Sequence, residues 1–327
     1  MQPQSWQQQL ANAIRRPEDL LKHVGLDVNS LNYTEQGITQ FPVRVPLAFA
    51  NRMQKENPDD PLLRQVFPYL EEDIEDPAFS IDPLKEEQVS VVPGLLHKYH
   101  DRVLTVSTGA CAIHCRYCFR RHFPYETSNQ SSSVWQRRFE YIKANPEINE
   151  VILSGGDPLS LADQKLTEYC HEISSISHIK RIRIHTRFPV VIPERLTQAL
   201  IDLIGNSNKE IILVLHINHA NEIDENVSAS IARVNDLGIM ILNQSVLLKG
   251  VNDNVDKLIQ LSEKLITNKI TPYYLHILDP VTGTTHFKIN EAKAMRLITE
   301  MQNRVSGYLV PKLVKEVPGD KSKTHLK

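Results

Sequence analysis

Nowhere in the 327 residues does an apolar run approach the ~18 needed to span a membrane, and the polar opening MQPQSWQQQLANAIRR lacks the apolar stretch of a secretory signal. The chain is read as cytosolic. An excess of charge is missing too: 37 Lys and Arg stand against 39 Asp and Glu, so nothing draws the chain globally to nucleic acid or anionic lipid. A small or compact partner is the default. Cysteine is scarce, since four in so long a chain exclude a disulfide scaffold, yet Cys111, Cys115 and Cys118 fall within eight residues. There is no internal repeat. What is present is 41% hydrophobic residues, enough for the core of one large α/β domain or two ordinary ones.

Short β-branched or apolar runs at 102–106, 151–153, 179–184, 211–216, 239–242 and 273–278 read as strands. Amphipathic stretches at 134–144, 166–176, 194–204, 226–237, 255–266 and 290–305 alternate with them as helices. Six β/α units predict a parallel sheet with right-handed crossovers, doubly wound or curled into a full or partial barrel. In either case the active site lies beyond the carboxyl ends of the strands. The polar motifs obey that rule: the cysteines follow the first strand, Ser154-Gly155-Gly156-Asp157 the second and His185-Thr186-Arg187 the third. His216 to His219 end the fourth, Asn243-Gln244-Ser245 lie at the fifth and Asp279 follows the sixth. Before residue 100 the pattern changes to helical segments near 6–24 and 46–54 and a Pro- and acid-rich stretch at 57–83, read as an extension packed on the barrel.

Cys111-x-x-x-Cys115-x-x-Cys118 offers three thiolates from one loop, whereas closed zinc sites and ordinary four-iron clusters want four ligands. A cluster held by three cysteines leaves one iron open to chelate the amino and carboxylate groups of S-adenosylmethionine. Zinc with His114 or His122 as a fourth ligand is the competing reading, and buried thiols of no chemistry are another. Cys170, alone in a helical pattern, is read as packing.

The segment ACAIHCRYCFRRHFPY resembles the cluster loop of the radical S-adenosylmethionine superfamily, specifically its lysine 2,3-aminomutase branch. The resemblance continues through VVPGLLHKYHDRV, ILSGGDPL, RIRIHTRFPVVIPERLT, HINHANEIDE, NQSVLLKGVND, PYYLHILDPVTGTTHF and SGYLVPKLVKEVPG. NPDDPLLRQVFP is most similar to the members that serve β-lysylation of elongation factor P. The resemblance implies an α/β fold: a partial (β/α)6 barrel at 96–310, a mainly helical extension at 1–95 and a lysine-bearing segment at 311–327. It implies a 4Fe-4S cluster on Cys111, Cys115 and Cys118, with Gly155, Gly156, Asp157, His216 and Gln244 lining the S-adenosylmethionine site.

Pyridoxal 5′-phosphate is the third cofactor implied. Lys323 matches the lysine that holds it, although one glycine stands here where relatives have several, and Lys321 is the neighbouring register. Lys98, Tyr99 and Arg102 would bind its phosphate, with Lys98 standing where the family prefers arginine. Arg120 matches the clamp for the substrate carboxylate, and Asp279 and Glu316 the acids that receive the ε-ammonium of L-lysine. The implied activity is 2,3-migration of the amino group of L-lysine to give β-lysine.

The partners expected are L-lysine, an external electron donor, elongation factor P with its lysyl-tRNA-synthetase-like ligase, and a second copy of the chain in a homo-oligomer. Nucleic acid and membrane are not expected. The alternative within the branch is a catabolic lysine or glutamate 2,3-aminomutase. Paired acids favour lysine over glutamate, and catabolic relatives run on into a cysteine-bearing tail, whereas no cysteine follows Cys170 here. A more distant alternative, an iron–sulfur RNA-modifying protein, calls for a basic surface or a second cysteine pair, and the sequence has neither.

Overall fold

The computed structural model describes residues 4–125 and 131–326. One sheet holds ten strands in chain order: β1 (Ser90–Val92), β2 (Leu95–Tyr99), β3 (Arg102–Thr108), β4 (Glu150–Gly155), β5 (Arg181–Thr186), β6 (Glu210–His216), β7 (Met240–Leu247), β8 (Thr271–Ile277), β9 (Lys312–Lys315) and β10 (Thr324–His325). From β3 to β9 all neighbours are parallel. At the edges the chain turns back, with β1 on β2, β2 on β3 and β10 on β9 antiparallel. Six helices make the crossovers, at Ser132–Ala144, Asp163–Ser174, Gln198–Gly205, Glu225–Asn235, Val255–Thr267 and Glu291–Gln302. The expected partial (β/α)6 barrel is there, and the sheet is not closed. It does curl, because Glu316 just past β9 bonds to Lys98 and Tyr99 of β2.

The period-2 pattern sorts the two faces. On β5, Ile182, Ile184 and Thr186 are buried under helices while Arg181, Arg183 and His185 face the lumen, partly open. On β7 the same alternation turns Gln244 and Val246 inward. Ser131, Thr197, Asp224, Asn254 and Asn290 cap their helices by accepting a first-turn N–H, which fixes where each crossover begins.

Two expected helices are each broken into two shorter elements. In 6–24, Pro17 has no N–H to donate, so one helix ends at Ala11 and a second starts at Pro17 itself. In 194–204, Pro193–Arg195 forms a 3-10 turn and Thr197 opens a new helix at Gln198. The buried Arg195 guanidinium holds that break by donating to the Leu159 and Leu161 carbonyls and to Asp163. No described helix is long and apolar enough to cross a membrane.

The N-terminal extension shares the barrel's core: Trp6, Leu20, Leu21, Phe49, Leu63 and Phe67 pack in one cluster with Ile182, Ile184 and Leu213. Its tightest attachment is ionic. Glu72, in the 3-10 turn Leu70–Asp73, takes Arg116 Nε at 2.6 Å and Arg121 Nη2 at 2.7 Å, with Arg116 Nη2 on its second oxygen, and all three side chains are buried. Removing the charge from Glu72 would strand two buried arginines, so Glu72→Gln should lower unfolding stability by about 3–5 kcal/mol in urea titrations. A loss below about 1 kcal/mol would show that this clamp is dispensable.

Candidate active site

The cysteine loop leaves the carboxyl end of β3 and is pinned from both sides. From the extension, Arg44 Nη1 donates to the Cys111 carbonyl at 2.9 Å, Gln65 accepts the Arg116 amide at 2.8 Å, and the Pro42 carbonyl meets His114 Nδ1 at 2.6 Å. From the barrel, the amides of Gly156 and Asp157 donate to the carbonyls of Thr108 (2.7 Å) and Ala110 (2.8 Å). That approach is why glycine stands there. Gly155 has φ +124°, and a Cβ on Gly156 would lie 2.4 Å from the Ala110 oxygen.

Burial, reinforced by mutual repulsion among the thiols, pushes Cys111 well up and Cys118 to about 11. Such thiols ionise only when a cation compensates them, which is what iron does. Among the described residues no three His, Cys, Asp or Glu side chains are gathered tightly enough for a single ion. His114 and His122 are both turned to backbone carbonyls.

Asp157 is fully engaged. It accepts from Leu159 N, Thr186 Oγ1, Arg187 N and Phe188 N at 2.7 to 3.0 Å, and burial raises its carboxyl to about 6 against the pull of those bonds. Its action is on the turn after β5, which places Arg187. The Arg187 guanidinium, buried, donates to Cys115 Sγ (2.8 Å), Tyr117 OH (2.7 Å), Gln65 Oε1 (2.7 Å) and Glu222 Oε2 (2.8 Å). Asn218 joins the same group through Gln65 and Tyr117.

Across the lumen, Gln244 donates to His216 Nε2 at 2.8 Å, and the His185 ring lies edge-on to His216 at 5.9 Å. Burial keeps these histidines neutral, pushing His216 and His276 to about 3 and His185 well down. His185 Nε2 and His276 Nε2 are buried with no hydrogen-bond partner, and both lie within electrostatic reach of Lys323. Two orphaned nitrogens beside an amine suit a polar cofactor ring.

Lys323 enters the mouth because β10 folds back on β9. The pairing of Thr324 with Lys315 sets Lys323 opposite Glu316, with Nζ 2.5 Å from Oε2. Lys321 is exposed. Oε1 of Glu316 takes the Lys98 ammonium and, at 2.6 Å, the Tyr99 hydroxyl. Burial opposes ionisation of Glu316, but Lys323 and those donors prevail and hold it at about 2. Arg102 lies 4.1 Å over the Tyr99 ring and pairs with Asp101. Lys98, Tyr99 and Arg102 are thus together, with two of the three on Glu316.

Arg120 faces them from the cysteine loop, and its fork is engaged: Nε and Nη2 grip Glu86 at 2.8 and 2.6 Å, and Nη1 donates to Ser154 Oγ at 3.0 Å. Asp279 makes no ion pair or side-chain hydrogen bond among the described residues. Burial raises it to about 7, with Lys323 pulling down and Glu316 and Glu86 pushing up. Sequence reasoning did not single out Glu72, Glu86 or Glu222, and it noted Arg187 only as part of the polar motif at the third strand's carboxyl end, with no role assigned.

Comparison with known proteins follows the same lines. Residues 105–262 match the Radical SAM superfamily. An L-lysine 2,3-aminomutase of Escherichia coli is 48% identical over 99% of this chain and 94% of its own length, and one of Haemophilus influenzae is 44% identical over 98% and 95%. One of Acetoanaerobium sticklandii is 35% identical over 98% of this chain and 77% of its own. Among solved structures, Streptococcus suis SuiB bound to S-adenosylmethionine shares the fold, with a TM-score of 0.51 and 18% identity over 69% of this chain and 52% of its own.

The crowding at Gly156 yields a direct test. Gly156→Ala should push the Ala110 carbonyl and the cysteine loop out of place, so that iron bound after anaerobic reconstitution drops several-fold while far-ultraviolet dichroism is kept. Gly307→Ala, where a Cβ meets nothing within 4 Å, should bind iron as wild type does. Equal iron in both variants would contradict the packing argument.

Proposed function

Since the chain belongs to the radical S-adenosylmethionine superfamily and, within it, to the L-lysine 2,3-aminomutases, we propose that it works with pyridoxal phosphate and supplies β-lysine for modification of elongation factor P. The observation that carries the cofactor reading is the mouth itself. Lys323 shares Glu316 with Lys98 and Tyr99, lies within electrostatic reach of the orphaned His185 and His276 nitrogens, and has Arg102 nearby over the Tyr99 ring. Cys111, Cys115 and Cys118 would hold a 4Fe-4S cluster, Gly155, Gly156, His216 and Gln244 would flank S-adenosylmethionine, and Asp157 would fix the turn beside it. When bound, the cluster with S-adenosylmethionine supplies a hydrogen-abstracting radical, and pyridoxal phosphate an electron sink for the migrating nitrogen.

This chain's own residues bind, orient and exclude water. Arg120 offers a fixed cation to the carboxylate of lysine, held in place by Glu86 and Ser154. Glu316 already receives two lysine ammoniums, those of Lys323 and Lys98, and Asp279 lies in its electrostatic reach without a partner of its own among the described residues. Two carboxyls there suit an ε-ammonium and repel a side-chain carboxylate, which supports lysine over glutamate as substrate. The link to elongation factor P is supported by the similarity of NPDDPLLRQVFP.

Lys323→Ala should lose pyridoxal phosphate that borohydride fixes to the protein while keeping its iron, because the two groups use different side chains. If fixation persists there and is lost in Lys321→Ala, the register is wrong. Elongation factor P from cells lacking this chain should lack its β-lysyl mass; an unchanged mass would remove that assignment.

Asp279 gives the site a pH dependence. With its carboxyl near 7, it is half protonated at neutral pH, and an arriving ammonium favours the ionised form. Lysine KM should therefore fall as pH rises through about 7. Asp279→Asn should flatten that profile and lower kcat/KM roughly 100-fold, the equivalent of about 3 kcal/mol. A wild-type KM that does not change between about pH 6 and 8 would contradict this role.

A further inference from the structure

We propose that Arg187 sets the reduction potential of the cluster through its hydrogen bond to Cys115, and that Glu222 moderates the effect. The inference rests on the cluster assignment above and adds to it a residue that binds no iron.

Among the described residues, Cys115 is the one cysteine of the three whose sulfur takes a hydrogen bond from a charged side chain, Arg187 Nη1 at 2.8 Å. The contact is built rather than incidental. Arg187 is 5% exposed, and both its own amide and that of Phe188 are tied to Asp157, which fixes the turn that aims it. Nη1 also donates to Tyr117 and Nη2 to Gln65 and Glu222, while Nε has no partner among the described residues, so the guanidinium cannot swing away without leaving several buried acceptors unpaired.

As an iron ligand, Cys115 is a thiolate. A guanidinium proton on that sulfur withdraws electron density and favours the more negative, reduced cluster, which raises its potential. Reduction adds one electron from an external one-electron donor, and Arg187 keeps its protons throughout. Glu222, fully buried and 2.8 Å from the far end of the same guanidinium, offsets part of the positive charge. The two residues therefore act in opposite directions on one sulfur.

Potentials of the anaerobically reconstituted protein can be measured by redox titration followed by electron paramagnetic resonance. Arg187→Gln should lower the reduction equilibrium at least tenfold, 59 mV for one electron. Glu222→Gln, near-isosteric and still able to accept from Arg187, should raise it. Opposite shifts support the inference, because a loosened fold would not move the potential both ways. If Arg187→Gln does not fold, Glu222→Gln decides alone: an upward shift supports, and none or a downward one overturns. Unmoved potentials in both iron-loaded variants overturn the inference and leave the cluster assignment standing, whereas a wild type that binds no iron overturns both.

Discussion

Three thiols on a loop without regular structure keep their places only if the residues between them are held, and here two buried carboxylates do the holding. Glu72 ties down Arg116 and Arg121, which bracket Cys118, and Glu222 ties down Arg187, which reaches Cys115. Buried pairs of this kind contribute little net stability, because desolvation consumes most of the attraction, but losing one member is costly. Their value lies in fixing geometry. Glu72 belongs to the N-terminal extension and Glu222 follows β6, so the cysteine loop is held by both parts of the chain.

The rest of the site is built from paired charges as well, Asp279 excepted. Arg120 with Glu86 stands on one wall, and Glu316 with Lys98 and Lys323 on another. Between them lie neutral histidines and Asp279, whose carboxyl is poised near neutrality. In such a low-dielectric setting fixed charges act strongly on a zwitterion with a second ammonium, and they need no rearrangement when it arrives. The sheet's curl makes this possible by bringing the end of β9 to β2, so that residues far apart in sequence share one carboxylate.

The barrel was legible because its strands are β-branched runs at regular spacing, and because motifs such as Ser154 to Asp157 follow them at the carboxyl end. The edges were not. β1 has three residues, β9 four and β10 two, too short for periodicity to register, yet β9 and β10 set Lys323 against Glu316. Pro17 marks the first helix break plainly, by its missing N–H, whereas the second depends on the Thr197 cap and the buried Arg195. Glu72, Glu86 and Glu222 could not be told from surface acids, since a carboxylate's burial depends on partners more than thirty residues away. Arg120 was singled out from the sequence as a clamp for a substrate carboxylate, and the occupation of its fork by Glu86 was invisible for the same reason.

The claim that all of this serves amino migration on lysine is tested most directly by nuclear magnetic resonance of the reaction itself. Reconstituted, reduced protein with pyridoxal phosphate and S-adenosylmethionine would be given L-lysine carrying 13C at C2 and C3 and 15N on the α-amino group. The expected result is appearance of a 13C–15N coupling at C3 as that at C2 disappears, with no such change when labelled glutamate is supplied. An iron-loaded protein that cleaves S-adenosylmethionine but leaves nitrogen on C2 of lysine would contradict it.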